Sequence, residues 1–173
     1  NGGTIEAAAN RNNAAIGDKG KGESGVTING GVIHAVGKGS AAGIGSKGDI
    51  RITGGELTVS AEGSGAAIGS GSEGDVFSPP TGDPNTFKTI IRITDSNVTA
   101  SSGPSAAIGS GSYSTNATEI HINGGKIKAS NYSGSAIGSG VSAKGKTGIQ
   151  GARIERLRAL GHMQHYSLAQ HVL

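Results

Sequence analysis

The sequence contains no cysteine and no tryptophan, and aromatic residues make up 3% of its 173 positions. Without thiols, there is neither a disulfide framework nor a thiolate metal site. No apolar run approaches the ~20 residues that a membrane-spanning helix needs, and no signal peptide is recognisable. So few aromatic side chains also argue against an ordinary globular core.

Charge is equally modest, with a formal net value of +3 and basic residues that are scattered rather than clustered. With few aromatics and no basic run, nucleic-acid binding is not expected. The glycine-rich segments lack the Gly-Lys-Ser/Thr ending of a phosphate loop. We therefore predict no nucleic-acid partner, no membrane partner and no cofactor.

Glycine, by contrast, is abundant, and the 33 glycines recur at fixed places in a repeat. One motif has the form Asn-Gly-Gly-x-Ile-x-Ala, and a second is Ile-Gly after small residues. Repetition at intervals of roughly 20 to 50 residues is typical of a solenoid, and its regularity argues against a disordered linker. The first motif starts at Asn1, Asn29, Thr53, Thr94 and Asn123, and the second is centred on Ile16, Ile44, Ile68, Ile108 and Ile137.

Alignment of the copies predicts strands on both sides of each Gly-Gly turn. Before the turn, segments such as Ile50-Arg51-Ile52 alternate, which is typical of a strand with one buried face. We expect the flanking aliphatics to point inward and the middle residues to point outward. After the turn, two further inward columns are predicted: Ile5, Ile33, Leu57, Val98 and Ile127, and Ala7, Ala35, Val59, Ala100 and Ala129.

These patterns predict an all-β fold, a parallel β-helix of about five coils. The Gly-Gly pairs allow positive φ at sharp corners, and equivalent residues of stacked coils should lie about 4.8 Å apart. The repeat domain is assigned to residues 1–150. Glu73–Lys88 holds three of the four prolines and both phenylalanines, so it is predicted to be an inserted loop.

Beyond Gln150 the composition changes, with four of the five leucines and three of the five histidines. Ile154, Leu157 and Leu160 have helical spacing, and Gly161 is a suitable stop. Residues 151–173 are therefore predicted to be a short helical segment. It is either a cap over the last coil or a non-native tail. His162, His165 and His171 lack an accompanying carboxylate, so no metal site is predicted.

The combination of the Gly-Gly turn with Ala-Ile-Gly-Ser-Gly resembles repeats in secreted and surface proteins of anaerobic bacteria. The resemblance covers Asn1 to about Gly148. It implies a right-handed parallel β-helix, a bacterial source and an extracellular or cell-surface location. Proteins of this type are commonly labelled carbohydrate-binding, and the resemblance implies no catalytic signature.

The strand after the Gly-Gly turn presents a first candidate site. Stacking should place Glu6 beside His34, with Glu56 diagonally beyond. Carboxylates and an imidazole on one rigid face could serve acid–base chemistry, in which one group donates a proton and another accepts it. The alternative is an ordinary solvated face.

The strand before the turn presents a second candidate site, a ladder of Arg51, Arg92 and His121. Two adjacent guanidinium groups could bind the carboxylate group of a uronic acid, or a sulfate group. The alternative is local pairing with acidic neighbours. The acidic neighbours are Asp49, Asp95 and Glu119.

Aromatic residues suggest a third possibility, since sugar rings stack on them. The alternative is a surface loop that packs on its own phenylalanines. The residues concerned are Asp75, Phe77, Asp83 and Phe87 of the insert, together with Tyr113 and Tyr132.

Two functions follow. The first is a noncatalytic extracellular module that binds polysaccharide or oligosaccharide, or that contributes to a surface assembly. Its predicted ligand-binding residues are Arg51, Arg92, His121, His34 and Tyr113. The alternative is a small glycoside hydrolase or polysaccharide lyase. Its catalytic carboxylates would come from Glu6, Glu56, Asp75, Asp95 and Glu119.

A homo-oligomer, most simply a two-fold dimer, is also predicted. The chain starts in mid-repeat, so Ile5, Ala7 and Ile16 are expected to lie at an open end of the solenoid. Apolar ends of this kind recruit other surfaces, and closed symmetric association hides them.

Overall fold

The computed structural model describes residues 2–18, 25–46, 48–71, 88–114, 117–143, 147–150 and 156–159. Within these ranges the chain forms strands, corners and turns, with no helix. The strands build three parallel sheets, numbered 1 to 3 in the order in which the chain enters them. The predicted all-β parallel β-helix is confirmed.

The strands follow one another in sets of three, one strand for each sheet. The first three sets are β1 (Thr4–Ala9), β2 (Ile16–Gly17), β3 (Val26–Asn29), β4 (Val32–Gly37), β5 (Ile44–Gly45), β6 (Ile50–Thr53), β7 (Glu56–Ala61), β8 (Ile68–Gly69) and β9 (Lys88–Thr94). The remaining strands are β10 (Asn97–Ser102), β11 (Ile108–Gly109), β12 (Ala117–Asn123), β13 (Lys126–Asn131), β14 (Ile137–Gly138), β15 (Thr147–Gln150) and β16 (Arg156–Ala159). Each set is one coil, and β16 continues the first sheet beyond the fifth coil.

Each sheet pairs equivalent strands of successive coils in parallel. Sheet 1 has the order β1-β4-β7-β10-β13-β16, sheet 2 the order β2-β5-β8-β11-β14, and sheet 3 the order β3-β6-β9-β12-β15. The register places equivalent repeat positions opposite one another, as in Ile33 opposite Leu57. A column of the sequence alignment is therefore a ladder in space.

The core lies between the three sheets and is made almost entirely of aliphatic side chains. In sheet 3, Ile50, Ile91 and Ile120 stack in register and are each 0% exposed. Ile33, Leu57, Val98 and Ile127 form the corresponding ladder of sheet 1 and are all buried. From β4 onward the two predicted inward columns of sheet 1 are confirmed. Stacking of successive coils removes this face of each strand from water.

Glycine makes the corners between sheet 3 and sheet 1. Gly30 and Gly31 have φ values of 82° and 94°, a conformation that costs a residue with a Cβ more than it costs glycine. The corner between β9 and β10 has no glycine, and Asp95 takes the left-handed conformation there with φ 48°. Aspartate tolerates this region better than most residues, which explains how the irregular copy keeps the same turn.

Neighbouring coils approach closely in sheet 2. Its strands are only two residues long, and each contributes one isoleucine to the core. A Cβ on Gly69 would lie 1.7 Å from the carbonyl oxygen of Gly109. The residues on either side of the isoleucine are alanine and glycine because the backbones of neighbouring coils are in contact there.

The first coil of the described solenoid departs from this regular burial. Ile5 is 49% exposed, whereas Ile33, in the same column, is 2% exposed. Ala7 and Ile16 are also less buried than their equivalents. β1 and β2 are end strands of the described sheets. That these three residues lie at an open end of the solenoid stays a prediction.

The helical prediction for the tail is wrong where it can be compared with the structure. Arg156–Ala159 forms β16, which pairs in parallel with β13, and Leu157 lies opposite Ala129. The sequence Arg-Leu-Arg-Ala alternates as well as it fits a helix, and β13 offers its hydrogen-bonding edge. The rest of the tail, including Ile154 and Leu160, lies outside the described residues.

The insert also lies outside the described residues, except at its end. Lys88, assigned to the insert from the sequence, is the first residue of β9. The predicted loop character of residues 73–87 stays a prediction.

Candidate functional site

The outer face of sheet 3 carries the arginine ladder that the sequence predicted. The register places Thr27 opposite Arg51, Arg51 opposite Arg92, and Arg92 opposite His121. These residues point outward because the aliphatics on either side of each point into the core. Neighbouring side chains of such a ladder are about 4.8 Å apart at their backbone. The two guanidinium groups are therefore neighbours although their residues lie in different coils.

Asp49 joins the two arginines. Its Oδ2 accepts a hydrogen bond from Arg51 Nη2 at 3.1 Å and another from Arg92 Nη1 at 3.1 Å. The Asp49 side chain is 35% exposed, and those of Arg51 and Arg92 are 59% and 38% exposed. The alternative of local pairing is therefore realised for Asp49, which shares one oxygen between two cations on adjacent strands.

His121 pairs with Glu119 on its own strand. Glu119 Oε1 lies 2.6 Å from His121 Nε2, and the two side chains are 24% and 22% exposed. Both residues face outward, because positions i and i+2 of a strand share a face. In the neighbouring strand Ile90 lies opposite Glu119, and Arg92 lies opposite His121. The third member of the ladder is thus also held by a local acid.

The outer face of sheet 1 contains the predicted pair of Glu6 and His34, which lie opposite each other in the register. They line an open depression of about 300 Å³ together with Ala7, Ala8 and Val36. Glu56 lies one strand beyond His34, opposite Val32. Two strand spacings and an offset of two residues along the strand separate the backbones of Glu6 and Glu56, which gives about 12 Å.

Asp95, another candidate carboxylate, lies at the corner between β9 and β10 and not on either face. Its backbone N–H donates to the carbonyl of Asn123, and a Cβ on Gly124 would lie 2.2 Å from its Oδ1. Its left-handed conformation and these close neighbours give it a role in the turn. The structure therefore distributes the described candidate carboxylates, Glu6, Glu56, Asp95 and Glu119, over sheet 1, the corner and sheet 3, and does not collect them in one cleft.

Tyr113 also lies at a corner, in the left-handed region with φ 59°, and its N–H donates to the carbonyl of Val141. Its side chain is half-buried, whereas Tyr132 is 75% exposed. Asp75, Phe77, Asp83 and Phe87 of the insert lie outside the described residues. A sugar-stacking role for the aromatics stays a prediction.

A network of buried serines lies beside sheet 2 and was not predicted from the sequence. Ser70 Oγ donates to Ser114 Oγ at 3.3 Å and accepts from the N–H of Gly111 at 3.1 Å. Ser105 Oγ lies 3.1 Å from Ser112 Oγ. The recurrence of serine after Ile-Gly was a signal for this network. These hydroxyls satisfy backbone groups where the chain folds back, so their role is structural.

The described residues provide neither a metal-binding cluster nor a membrane-spanning helix. No group of three or more His, Cys, Asp or Glu side chains is placed among them to hold a metal ion. None of the described segments is a helix that is long and apolar enough to cross a membrane.

Three parallel sheets, wound from stacked coils around an aliphatic core, define the class of parallel β-helices. The model of the beta helix repeat family matches residues 26–49, 50–72, 91–112 and 120–141, which together make up more than half of the chain. The protein therefore belongs to the beta helix repeat family. Each matched segment begins in a strand of sheet 3. Comparisons with curated proteins and with solved structures gave no match.

Proposed function

We propose that this protein is an extracellular, noncatalytic module that binds acidic polysaccharide on the outer face of sheet 3. The observation that carries the proposal is the sharing of Asp49 Oδ2 by Arg51 and Arg92. Within the described residues, two positive charges meet one negative charge. The cluster therefore retains an excess of one positive charge at the surface.

The arginines also retain hydrogen-bond donors. A guanidinium group has five N–H donors in a planar fork, and each arginine uses one nitrogen on Asp49. Such forks match the geometry of carboxylates and sulfates. A uronate or sulfate group of a sugar therefore suits the space beside this pair better than a neutral hydroxyl does.

The rest of the face suits a polysaccharide chain. A second outward column runs beside the arginines and consists of Asn29, Thr53, Thr94 and Asn123, aligned by the register. Hydroxyl and amide groups can donate and accept hydrogen bonds to sugar hydroxyls. When the arginines bind an acidic sugar, the adjacent sugars of the same polysaccharide chain can hydrogen-bond to this polar column along the solenoid axis.

Affinity electrophoresis through gels containing polygalacturonate, a sulfated polysaccharide or neutral dextran tests the proposal. Retention is expected in the two acidic gels and should weaken with added salt, since exposed charges are screened. Arg92→Gln should weaken binding by at least about 10-fold, because hydrogen bonds to charged groups contribute about 1.5–3 kcal/mol.

Lys38→Gln is the matched control, because it removes one positive charge from an exposed residue outside sheet 3, paired with Glu62 at 3.8 Å. It should leave retention almost unchanged. Equal losses in Arg92→Gln and Lys38→Gln would mean that binding follows net charge and not this site. Absence of retention in every acidic gel would overturn the proposal.

A second candidate function is favoured by the depression that Glu6 and His34 line on sheet 1. A carboxylate next to an imidazole is a suitable acid–base pair for cleaving a glycosidic bond or for eliminating across a uronate. Chromogenic glycosides and polyuronates would be used as substrates. Turnover that is lost in both Glu6→Gln and His34→Gln would support the enzyme, and turnover that survives both would exclude this site.

A further inference from the structure

The outer face of sheet 1 separates its charges along the solenoid axis. Its acidic residues, Glu6 and Glu56, lie on β1 and β7, whereas Lys126 and Lys128 lie on β13. All four side chains are exposed. Within the described part of the chain, none of the four has an ion-pair partner.

The register fixes this separation. One outward column runs Thr4, Val32, Glu56, Asn97 and Lys126, and the next runs Glu6, His34, Thr58, Thr99 and Lys128. In each column the carboxylate precedes the lysine along the axis. The strand between them, β10, presents Asn97, Thr99 and Ser101, which carry no charge. The face therefore carries its acidic side chains on the first and third coils and its lysines on the fifth.

We propose that two copies of this protein pair through the outer faces of sheet 1, with the order of their coils reversed. A two-fold axis along the strand direction, between β7 and β10, produces this arrangement. It lays β13 of each copy over β4 of the other, so Lys126 lies one strand spacing from Glu56, and Lys128 one strand spacing from Glu6. The same patch serves on both copies, as a closed dimer requires. The proposal does not depend on polysaccharide binding, because sheet 3 takes no part in it.

The shape of the face permits such contact. At the axis β7 of one copy lies over β10 of the other, so Glu56 meets an uncharged strand. The other side chains there, Thr58, Ser60 and Thr99, are small, so two sheets can approach to the ordinary packing distance of about 10 Å. Val32 and Val36 lie half-buried towards the acidic end, where the aliphatic stems of the partner's lysines can cover them. The four strands that overlap, β4 to β13, have six residues each and an area of roughly 400 Å² per copy. This is less than the ~800 Å² per partner of a standard stable interface.

The expected dimer is consequently weak, with a dissociation constant in the micromolar range or above, and sensitive to salt. Sedimentation velocity from low to high protein concentration, without polysaccharide, measures it. Two reversal variants test the charges on strands β1 to β13: Lys126→Glu/Lys128→Glu leaves only acidic charges there, and Glu6→Lys/Glu56→Lys leaves only basic ones. Each should weaken self-association on the order of 100-fold, since opposed like charges cost several kcal/mol.

Recombining the charges makes the test specific. An equimolar mixture of the two reversal variants should form heterodimers, and the four-fold exchange carrying all these substitutions should regain the homodimer. Circular dichroism checks that each variant is folded. Wild-type protein that stays monomeric at the highest concentration and lowest salt would overturn the proposal. So would self-association that all variants share equally, because it would then use another surface.

The proposal is also separable from the enzyme hypothesis. Pairing would cover the depression lined by Glu6 and His34. Turnover that increases with dimer formation would therefore contradict the pairing, whereas salt-dependent pairing without turnover would leave Glu6 with an assembly role.

Discussion

Sheets 1 and 3 are the same on the inside and different on the outside. Their inward columns consist of aliphatic residues that are 0–2% exposed in the middle coils, such as Leu57 in sheet 1 and Ile91 in sheet 3. Outside, sheet 3 pairs its charges locally, with Asp49 between two arginines and Glu119 on His121. Sheet 1 leaves its charges unpaired within the described residues and separates them by sign.

This contrast indicates where function is to be sought in a solenoid. Inward positions are constrained by stacking, because each coil can bury its apolar edge only against the next. Outward positions are free of that constraint, so their chemistry reflects what the surface meets. On sheet 3 the positive charges are mostly paired and a small positive excess remains, which suits a small anionic group. On sheet 1 the positive and negative charges lie on different strands, which suits a partner that presents the same strands in reverse order.

The largest expected effect is a loss of stability when a buried aliphatic residue of sheet 1 or of sheet 3 is truncated. Leu57→Ala in sheet 1 and Ile91→Ala in sheet 3 should each lower the free energy of unfolding by about 2–5 kcal/mol, because each removes buried methylenes and leaves a cavity. Urea denaturation followed by circular dichroism measures both. A loss below about 1 kcal/mol in one sheet only would mean that the interiors are not equivalent.

A smaller effect is expected when the local charge pairing of sheet 3 is removed. Asp49→Asn eliminates the shared carboxylate and should lower the free energy of unfolding by about 1 kcal/mol, the upper range for exposed ion pairs. It should also strengthen retention on polygalacturonate, because both guanidinium groups become more available. Thermal unfolding and affinity electrophoresis measure the two changes. Weaker retention would show that Asp49 positions the arginines for binding.

Glu119→Gln should have less effect than Asp49→Asn. The glutamine oxygen can still accept a hydrogen bond from His121, so the expected loss is about 0.5 kcal/mol, typical of a partly exposed pair. Retention on polygalacturonate should change less than two-fold. Parallel melting curves of the two variants provide the comparison. A loss for Glu119→Gln that equals or exceeds that of Asp49→Asn would contradict the expected order.

The smallest effect is expected in the middle of the sheet 1 face. Thr58 is exposed and uncharged, so Thr58→Ser should alter the free energy of unfolding by no more than about 0.5 kcal/mol. Self-association should likewise be preserved, because the charges at the two ends are unchanged. Denaturation and sedimentation would be run beside the charge reversals. Loss of the dimer in this variant would show that packing, and not charge, holds the two faces together.

Much of this molecule was predictable from its repeat. The alternation around Arg51 and Arg92 predicted which residues point inward and outward, and alignment of the repeats predicted that the two arginines lie side by side. The pairing of Glu6 with His34 was predictable for the same reason. A solenoid makes such inference possible, because distance along the axis follows directly from the number of repeats between two residues.

Other features could not be read from the repeat. The segment Arg156–Ala159 fits both a helix and a strand, and the pairing edge of β13 decided for the strand. Ser70 and Ser114 are 44 residues apart, and their contact depends on how the chain folds back beside sheet 2. Local sequence patterns do not predict which distant segments the folded chain brings together.

The ladders follow from the amino-acid sequence alone. Alternating aliphatic residues give each strand one apolar face, paired glycines turn the chain between strands, and stacking of equivalent strands buries those faces. The sequence also assigns each charge to its ladder. Which charges meet is a property of the folded chain: Asp49 accepts from Arg92, 43 positions away, as well as from its neighbour Arg51. The reason is physical, since the direction of a surface side chain follows from the charges that the adjacent coil brings within reach, and not from its own repeat.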